Sequence, residues 1–165
     1  MINRFFESYN KFLGNITAIL LLLVMFNVFL DVVLRYFFNT GAIWLQEMEW
    51  HFFAVMFLFG ISYALSSESH VRVDFIYDSL SSRRKAMINI IGSIFMLIPF
   101  AILIIYGSYE FVYDAYEVSE ISEDPGGLTH RWIIKFMIPL SFISLIISSF
   151  GYIYSNFQVL KESKV

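Results

Sequence analysis

Polar side chains with the spacing to pair, or to hold a group, sit at the ends of two long apolar runs. Asn27, Asp31 and Arg35 recur every four residues, so a helix stacks them on one stripe. Asp31 and Arg35 can then form an ion pair. Such a stripe belongs against protein, because an unpaired charge at the centre of a span costs about 2.5–3.5 kcal/mol to insert. Trp44, Glu47 and His51 share a face of the second run by the same arithmetic, with Glu49 beside them. Two readings fit these residues. One is a structural ion-pair cluster with interfacial tryptophans; the other is a site that grips the backbone or charges of a partner.

Other chemistry finds little material. His51, His70 and His130 are scattered singly, without HExxH or two histidines at ligand spacing on one helix, and the chain has no cysteine. No nucleophile with an adjacent base can be argued for, so no catalytic or metal residue is assigned and no enzyme is expected. The glycines of "DPGGL" read as a turn after Pro125 and not as a phosphate cradle. A haem held between His51 and His130, as in a membrane anchor of an electron-transfer complex, is the alternative kept open, although both histidines sit at span ends. No other cofactor is implied. The only basic cluster, "SSRRKA", abuts a span and gives no support to nucleic-acid binding.

The elements that must position these residues are membrane helices. The 165 residues are 58% hydrophobic, 19% aromatic and 15% charged, too little polar surface to solvate a compact globule. Four runs are long enough to cross hydrocarbon, at about 20 residues per span. They cover roughly residues 16–38, 44–65, 86–109 and 132–154, and they are apolar all round, which excludes the alternating strands of a barrel. The expectation is an all-α integral membrane protein forming one transmembrane domain over residues 1–165. Ahead of the first span, Phe5, Phe6, Tyr9, Phe12 and Leu13 fall on one face, predicting a short interfacial amphipathic helix over residues 3–13. Eight of the eleven Lys and Arg residues lie with the termini and the loop between spans two and three: Arg4, Lys11, Arg72, Arg83, Arg84, Lys85, Lys161 and Lys164. The other side has Arg35, Arg131 and Lys135, and its long loop is acidic. Both termini are therefore expected in the cytoplasm.

Small residues supply a second pattern. Ser141, Ser144, Ser148, Gly151 and Ser155 alternate by three and four along span four, and Gly60 and Ala64 form a shorter pair on span two. Such seams let helix backbones approach closely in lipid, within the chain or against another subunit. Pro99 and Pro139 are expected to kink or loosen their spans. The middles of the spans, such as "AILLLLVMF", are featureless, which argues against a carrier with its own midplane site.

The stretch "RYFFNTGAIWLQEMEWHFFAVMFLFGISYALSSESHVRVDFIYD" resembles the central motif of the DctQ-type small membrane subunits of tripartite ATP-independent periplasmic (TRAP) transporters. Arg35, Tyr36 and Asn39 match the end of that family's first span, Trp44 and Glu47 the start of its second, and Gly60 and Ala64 its small positions. His70, Val71, Arg72, Val73 and Asp74 match its cytoplasmic loop, and "DPGGLTHRWIIKFMIPLSF" is similar to the outer loop and fourth span of one subgroup. The acidic pair departs from the common pattern, since Glu47 and Glu49 are separated by one residue. The resemblance, running from Asn27 to Phe150, implies a bacterial inner-membrane accessory subunit of an ion-driven, commonly sodium-coupled, organic-acid transporter. Its partners would be a large multi-span subunit, a periplasmic solute-binding protein and membrane lipids. On this basis Asn27, Asp31, Arg35, Tyr36, Asn39, Trp44, Glu47, Glu49, Gly60, Ala64, Ser141, Ser144, Ser148 and Gly151 are expected at the large subunit. His70, Arg72 and Asp74 are expected to fix the cytoplasmic loop. Glu117, Glu120, Glu123 and Asp124 are expected to meet the solute receptor.

Overall fold

The computed structural model describes residues 2–67, 77 and 80–162. Among them the chain is all α: α1 (Ile2–Phe37), α2 (Ile43–Ser66), α3 (Ser82–Glu117) and α4 (Trp132–Glu162). All four are long and apolar enough to cross a membrane. Three outrun the hydrophobic stretches. α3 has 36 residues, roughly 54 Å at 1.5 Å per residue, against a hydrocarbon core of about 30 Å. The helices continue into the interface because nothing in their sequences stops them at the lipid boundary.

One expectation changes here. Residues 3–13 do not form a separate interfacial helix; they are the first three turns of α1, unbroken through Gly14 and into the span. The amphipathic face is used against α4. Tyr9 donates its hydroxyl hydrogen to Ser144 Oγ at 2.7 Å, Ser148 Oγ bonds Asn10 Oδ1 at 3.2 Å, and Leu13 is buried.

The ends of the helices have local causes. α1 stops where Asn39 adopts the left-handed region (φ 52°), which lets the Thr40 N–H return to the Leu34 carbonyl at 3.2 Å. α3 stops in the same manner at Ser119 (φ 49°), with the Glu120 N–H on the Ala115 carbonyl at 2.9 Å. Within α3, a π turn at Ser93–Leu97 comes just before Pro99, so the ring's missing N–H falls where the ladder is already widened.

α2 packs on both α1 and α4, and α4 packs on both α2 and α3, while no packed interface joins α1 to α3. α4 is thus the inner helix: 28% of its most apolar window is buried, against 11% in each of the other three. Beside Leu145 and Tyr152, which pack with Leu65 and Ala101, most of what it buries is small and polar. Ser62, Ser141, Ser148 and Ser149 are the largest fully enclosed side chains, whereas Phe26, Phe29, Phe95, Met96 and Leu103 face outward. In lipid there is no hydrophobic drive between helices, so close approach of backbones takes its place, and a buried serine hydroxyl is best satisfied locally, which those of α4 achieve and Ser62 Oγ does not. Ser141 Oγ bonds the Ile138 carbonyl at 2.8 Å and Ser149 Oγ the Leu145 carbonyl at 2.7 Å.

The seam of α4 is therefore filled by the chain itself from Ser141 to Ser148, while Ser155 stays exposed. A Cβ at Gly151 would lie 2.7 Å from the Phe6 ring. Gly151→Leu is expected to push the first turns of α1 away, at a cost of about 1–3 kcal/mol for overpacking. A drop in the thermal midpoint of the purified chain, with helix content unchanged, checks this.

Candidate functional site

The polar residues of the sequence collect at the far end of the array, where the α1–α2 and α3–α4 connections lie, but they form two groups and not one. On α1, Asn27 is buried and its Nδ2 donates to the Leu45 carbonyl at 2.8 Å, tying α1 to the first turn of α2. One turn on, Arg35 Nη2 meets Asp31 Oδ2 at 2.5 Å. The pair is uneven, with the Asp31 side chain 9% exposed and that of Arg35 51% exposed. The other carboxylate oxygen, Asp31 Oδ1, is buried without a hydrogen-bond partner. Because Arg35 is half in solvent, the full desolvation that would make its removal cost 3–5 kcal/mol is not met in the isolated chain.

The second group is built around Glu47, on the first turns of α2. Asp124, Pro125, Gly126 and Gly127 make a type II turn: Pro125 presets the first corner, Gly126 takes φ 87°, and the Gly127 N–H closes on the Asp124 carbonyl at 3.0 Å. The turn brings the Leu128 N–H to Glu47 Oε2 at 2.5 Å, while the Ser122 hydroxyl donates to Glu47 Oε1. Gly127 has to be glycine, since a Cβ there would lie 2.8 Å from Glu47 Oε2 and 2.5 Å from Ser122 Cβ and Oγ. Backbone bonds from Ser122 N–H to the Leu128 carbonyl and from Arg131 N–H to the Glu120 carbonyl, both 3.0 Å, close the rest of the connection. Glu47 is thus a staple between α2 and the α3–α4 connection. Within the chain it is used as this internal tie.

Glu120 is used inside the chain as well. It pairs with Lys135 and lies 3.8 Å from Arg131 Nε, and Lys135 in turn sits 4.0 Å over the Phe111 ring. Asp114, Glu117, Glu123 and Asp124 remain exposed, with no cationic partner among the described residues.

Of the remaining expected positions, Tyr36 (77% exposed) and Trp44 (48% exposed) stand on the surface near the Asp31–Arg35 pair in sequence. Glu49 is half-buried and has no hydrogen-bond or ion-pair partner among the described residues. Asn39 is the left-handed terminator of α1. Gly60 faces Thr17 of α1, and Ala64 is half-buried. Ser141, Ser144 and Ser148 are buried in the array. His70, Arg72 and Asp74 lie outside the described residues.

His51 and His130 do come together, with Thr129, as the polar walls of one far-end groove that is mostly apolar. His51 Nδ1–H donates to the Glu47 carbonyl at 2.6 Å, and His130 Nδ1 lies 2.9 Å from Thr129 Oγ1. No group of three or more His, Cys, Asp or Glu side chains that could hold a metal ion occurs among the described residues.

Comparison with known proteins decides the family. Residues 16–159 match the family described as "Tripartite ATP-independent periplasmic transporters, DctQ component". The chain belongs to the DctQ family. It is 31% identical over 148 residues to a putative TRAP transporter small permease protein of Haemophilus influenzae, covering 88% of this chain and 91% of that one. A second putative TRAP small permease of the same organism is 34% identical over 94 residues, 56% of each chain. The C4-dicarboxylate TRAP transporter small permease protein DctQ of Vibrio cholerae is 26% identical over 110 residues, 67% of this chain and 46% of that one. DctQ membership and four apolar helices make this chain a small permease component of a TRAP transporter in a bacterial inner membrane. The family implies a complex with a large membrane subunit and a solute receptor, and the haem-anchoring alternative has no support within it.

The partners of Glu47 were not readable from sequence, since Ser122 and Leu128 are 75 and 81 residues away. The signal that could have found them is the Pro-Gly-Gly turn itself. A turn that needs glycine at the position after its own corner is wrapping something close, and Glu47 is an acid at the same end of the array.

Proposed function

We propose that this DctQ chain braces the large translocating subunit through the far-end edge of α1, helps dock the solute receptor there, and so supports ion-gradient-driven uptake of small organic acids. The observation that carries the reading is Asp31. A buried carboxylate oxygen left without a donor costs roughly 1–3 kcal/mol or more, and the exposed Arg35, Tyr36 and Trp44 nearby in sequence offer a charged and aromatic surface for a partner whose docking turns the Asp31 carboxylate outward and supplies the donor. Asn27 holds that edge in place from within. Glu49, half-buried at the same end, belongs to this surface.

In this reading the far end is the outer side and both termini are cytoplasmic, which the distribution of Lys and Arg supports. His70, Arg72 and Asp74 then fix the cytoplasmic turn between α2 and α3. Glu117, Glu123 and Asp124, with Asp114, present unpaired negative charge to the receptor, and Glu120 shapes the loop that carries them.

The test is isolation of the tagged chain from native membranes. A much larger multi-span protein is expected to co-purify, and isolation of the chain alone at native expression would overturn the reading. For the receptor, association at the assembled complex is expected to slow roughly tenfold as salt rises past the range where the Debye length falls below 10 Å. Changing Glu117, Glu123 and Asp124 to their amides should flatten that dependence, measured by surface binding kinetics. A salt-independent rate in the unmodified complex would remove the acidic loop from docking.

A further inference from the structure

We propose that the groove between the start of α3 and the end of α4 binds an anionic glycerophospholipid, its phosphate on Arg83 and Lys161 and an acyl chain along Met87 and Phe157. The groove is lined by Arg83 and Met87 from α3 and by Phe157, Leu160 and Lys161 from α4, with a volume of ≈ 480 Å³. Its floor is open and apolar: Met87 is 41% and Phe157 61% exposed. Its rim is cationic from both sides, and neither Arg83 nor Lys161 has an acidic partner among the described residues. Glu162 follows Lys161 along α4 but does not line the groove.

Charge is what distinguishes this groove from the others. The two far-end grooves flanking α2 and α4 have apolar walls, one with His51 and His130 and the other with Lys135, which Glu120 already neutralises. Of these grooves among the described residues, the α3–α4 groove is the one where two uncompensated cations stand over apolar side chains, the arrangement that suits a phosphate above a hydrocarbon tail. Depth agrees. From Arg83 to Tyr106, where the exposed tyrosines Tyr106, Tyr109, Tyr113 and Tyr116 begin, is roughly 35 Å of helix at 1.5 Å per residue, about one hydrocarbon thickness with its boundary. The cations therefore stand at headgroup level when the tyrosines occupy the opposite interface.

The walls are fixed before any lipid arrives. Asn89 Nδ2 donates to Asn156 Oδ1 at 2.9 Å, Asn156 Nδ2 returns to the Tyr152 carbonyl at 2.9 Å, and the Tyr77 hydroxyl meets Asn89 Oδ1 at 3.1 Å. This polar clasp holds α3 to α4 at the level of the groove floor. The site needs only the membrane placement of the array and does not depend on a transport role.

The experiment is native mass spectrometry of the full chain, purified in detergent and titrated with phosphatidylglycerol or phosphatidylcholine. Phosphatidylglycerol is expected to be retained and phosphatidylcholine lost. In the Arg83→Gln, Lys161→Gln double variant, phosphatidylglycerol affinity should fall about 30-fold, taking the usual attraction of one basic residue for each. As a control that leaves the fold untouched, raising salt to about 0.5 M on the unmodified chain should weaken phosphatidylglycerol retention in the same direction. Equal retention of the two lipids, or unchanged retention in the double variant, overturns the proposal. So does loss of phosphatidylglycerol binding when the large subunit is present, which would mean that an acidic segment of that subunit fills the groove.

Discussion

Glu47→Ala is expected to release the α3–α4 connection from α2 while leaving the four helices in place. The carboxylate takes a backbone N–H from Leu128 and a hydroxyl from Ser122, and both donors would lose a charged acceptor. Removing one partner of such a bond leaves an unmet group worth about 1–3 kcal/mol, and the half-exposed position of Glu47 sets the effect toward the low end. Even so, 1–2 kcal/mol raises the open population of the connection about 5- to 30-fold. Hydrogen exchange across residues 118–131 reads this directly, with the spans as internal reference. Gly127→Ala should reproduce the effect with Glu47 intact, because its Cβ would press on Glu47 Oε2 and on Ser122. The two changes break one contact, so the double variant should be far less than additive. Unchanged exchange in both single variants would mean that the staple does not hold the loop.

The second large effect concerns assembly. Asp31→Leu is expected to leave the isolated chain as stable as before, or slightly more so, because a buried carboxylate with one unmet oxygen is costly and an apolar replacement of similar size is not. Binding to the large subunit should nevertheless weaken roughly 10- to 100-fold, the worth of one hydrogen bond to a charged group. Arg35→Ala should behave in the opposite order, destabilising the isolated chain by stripping Asp31 of its described partner. Thermal midpoints of the purified chain, set beside quantitative co-purification, separate the two. If Asp31→Leu destabilises the isolated chain and leaves assembly intact, Asp31 is a structural residue and the proposed interface lies elsewhere.

The spans were legible in the sequence because hydropathy measures what lipid requires. The expected second span, residues 44–65, differs from α2 by a single residue at each end. The others were read short, since α1, α3 and α4 run on as helix beyond the apolar stretch, where the amino-acid pattern no longer reflects lipid. The Asp31–Arg35 pair was also legible, being one helical turn in length. Glu47 was not: it shares a helix face with His51, but its partners come from a connection more than seventy residues away, and no local period encodes that meeting. The serine seam of α4 falls between these cases. Its spacing announced close packing, yet which helix fills it depends on how far α1 extends, and α1 reaches Ser144 only because the amphipathic first turns continue the span instead of lying flat.

These particulars agree with a chain whose far-end polar groups hold its own connection and leave one carboxylate oxygen unmet at the edge of α1. The span middles offer serine hydroxyls bonded within α4 or across to α1, the unpartnered hydroxyl of Ser62, and, among the described residues of that region, no charged side chain to bind cargo. Flux across liposomes tests that most directly. The purified chain alone should move no organic acid under a sodium gradient, and uptake should appear when the large subunit and the receptor are added. Uptake by the chain alone would contradict the account.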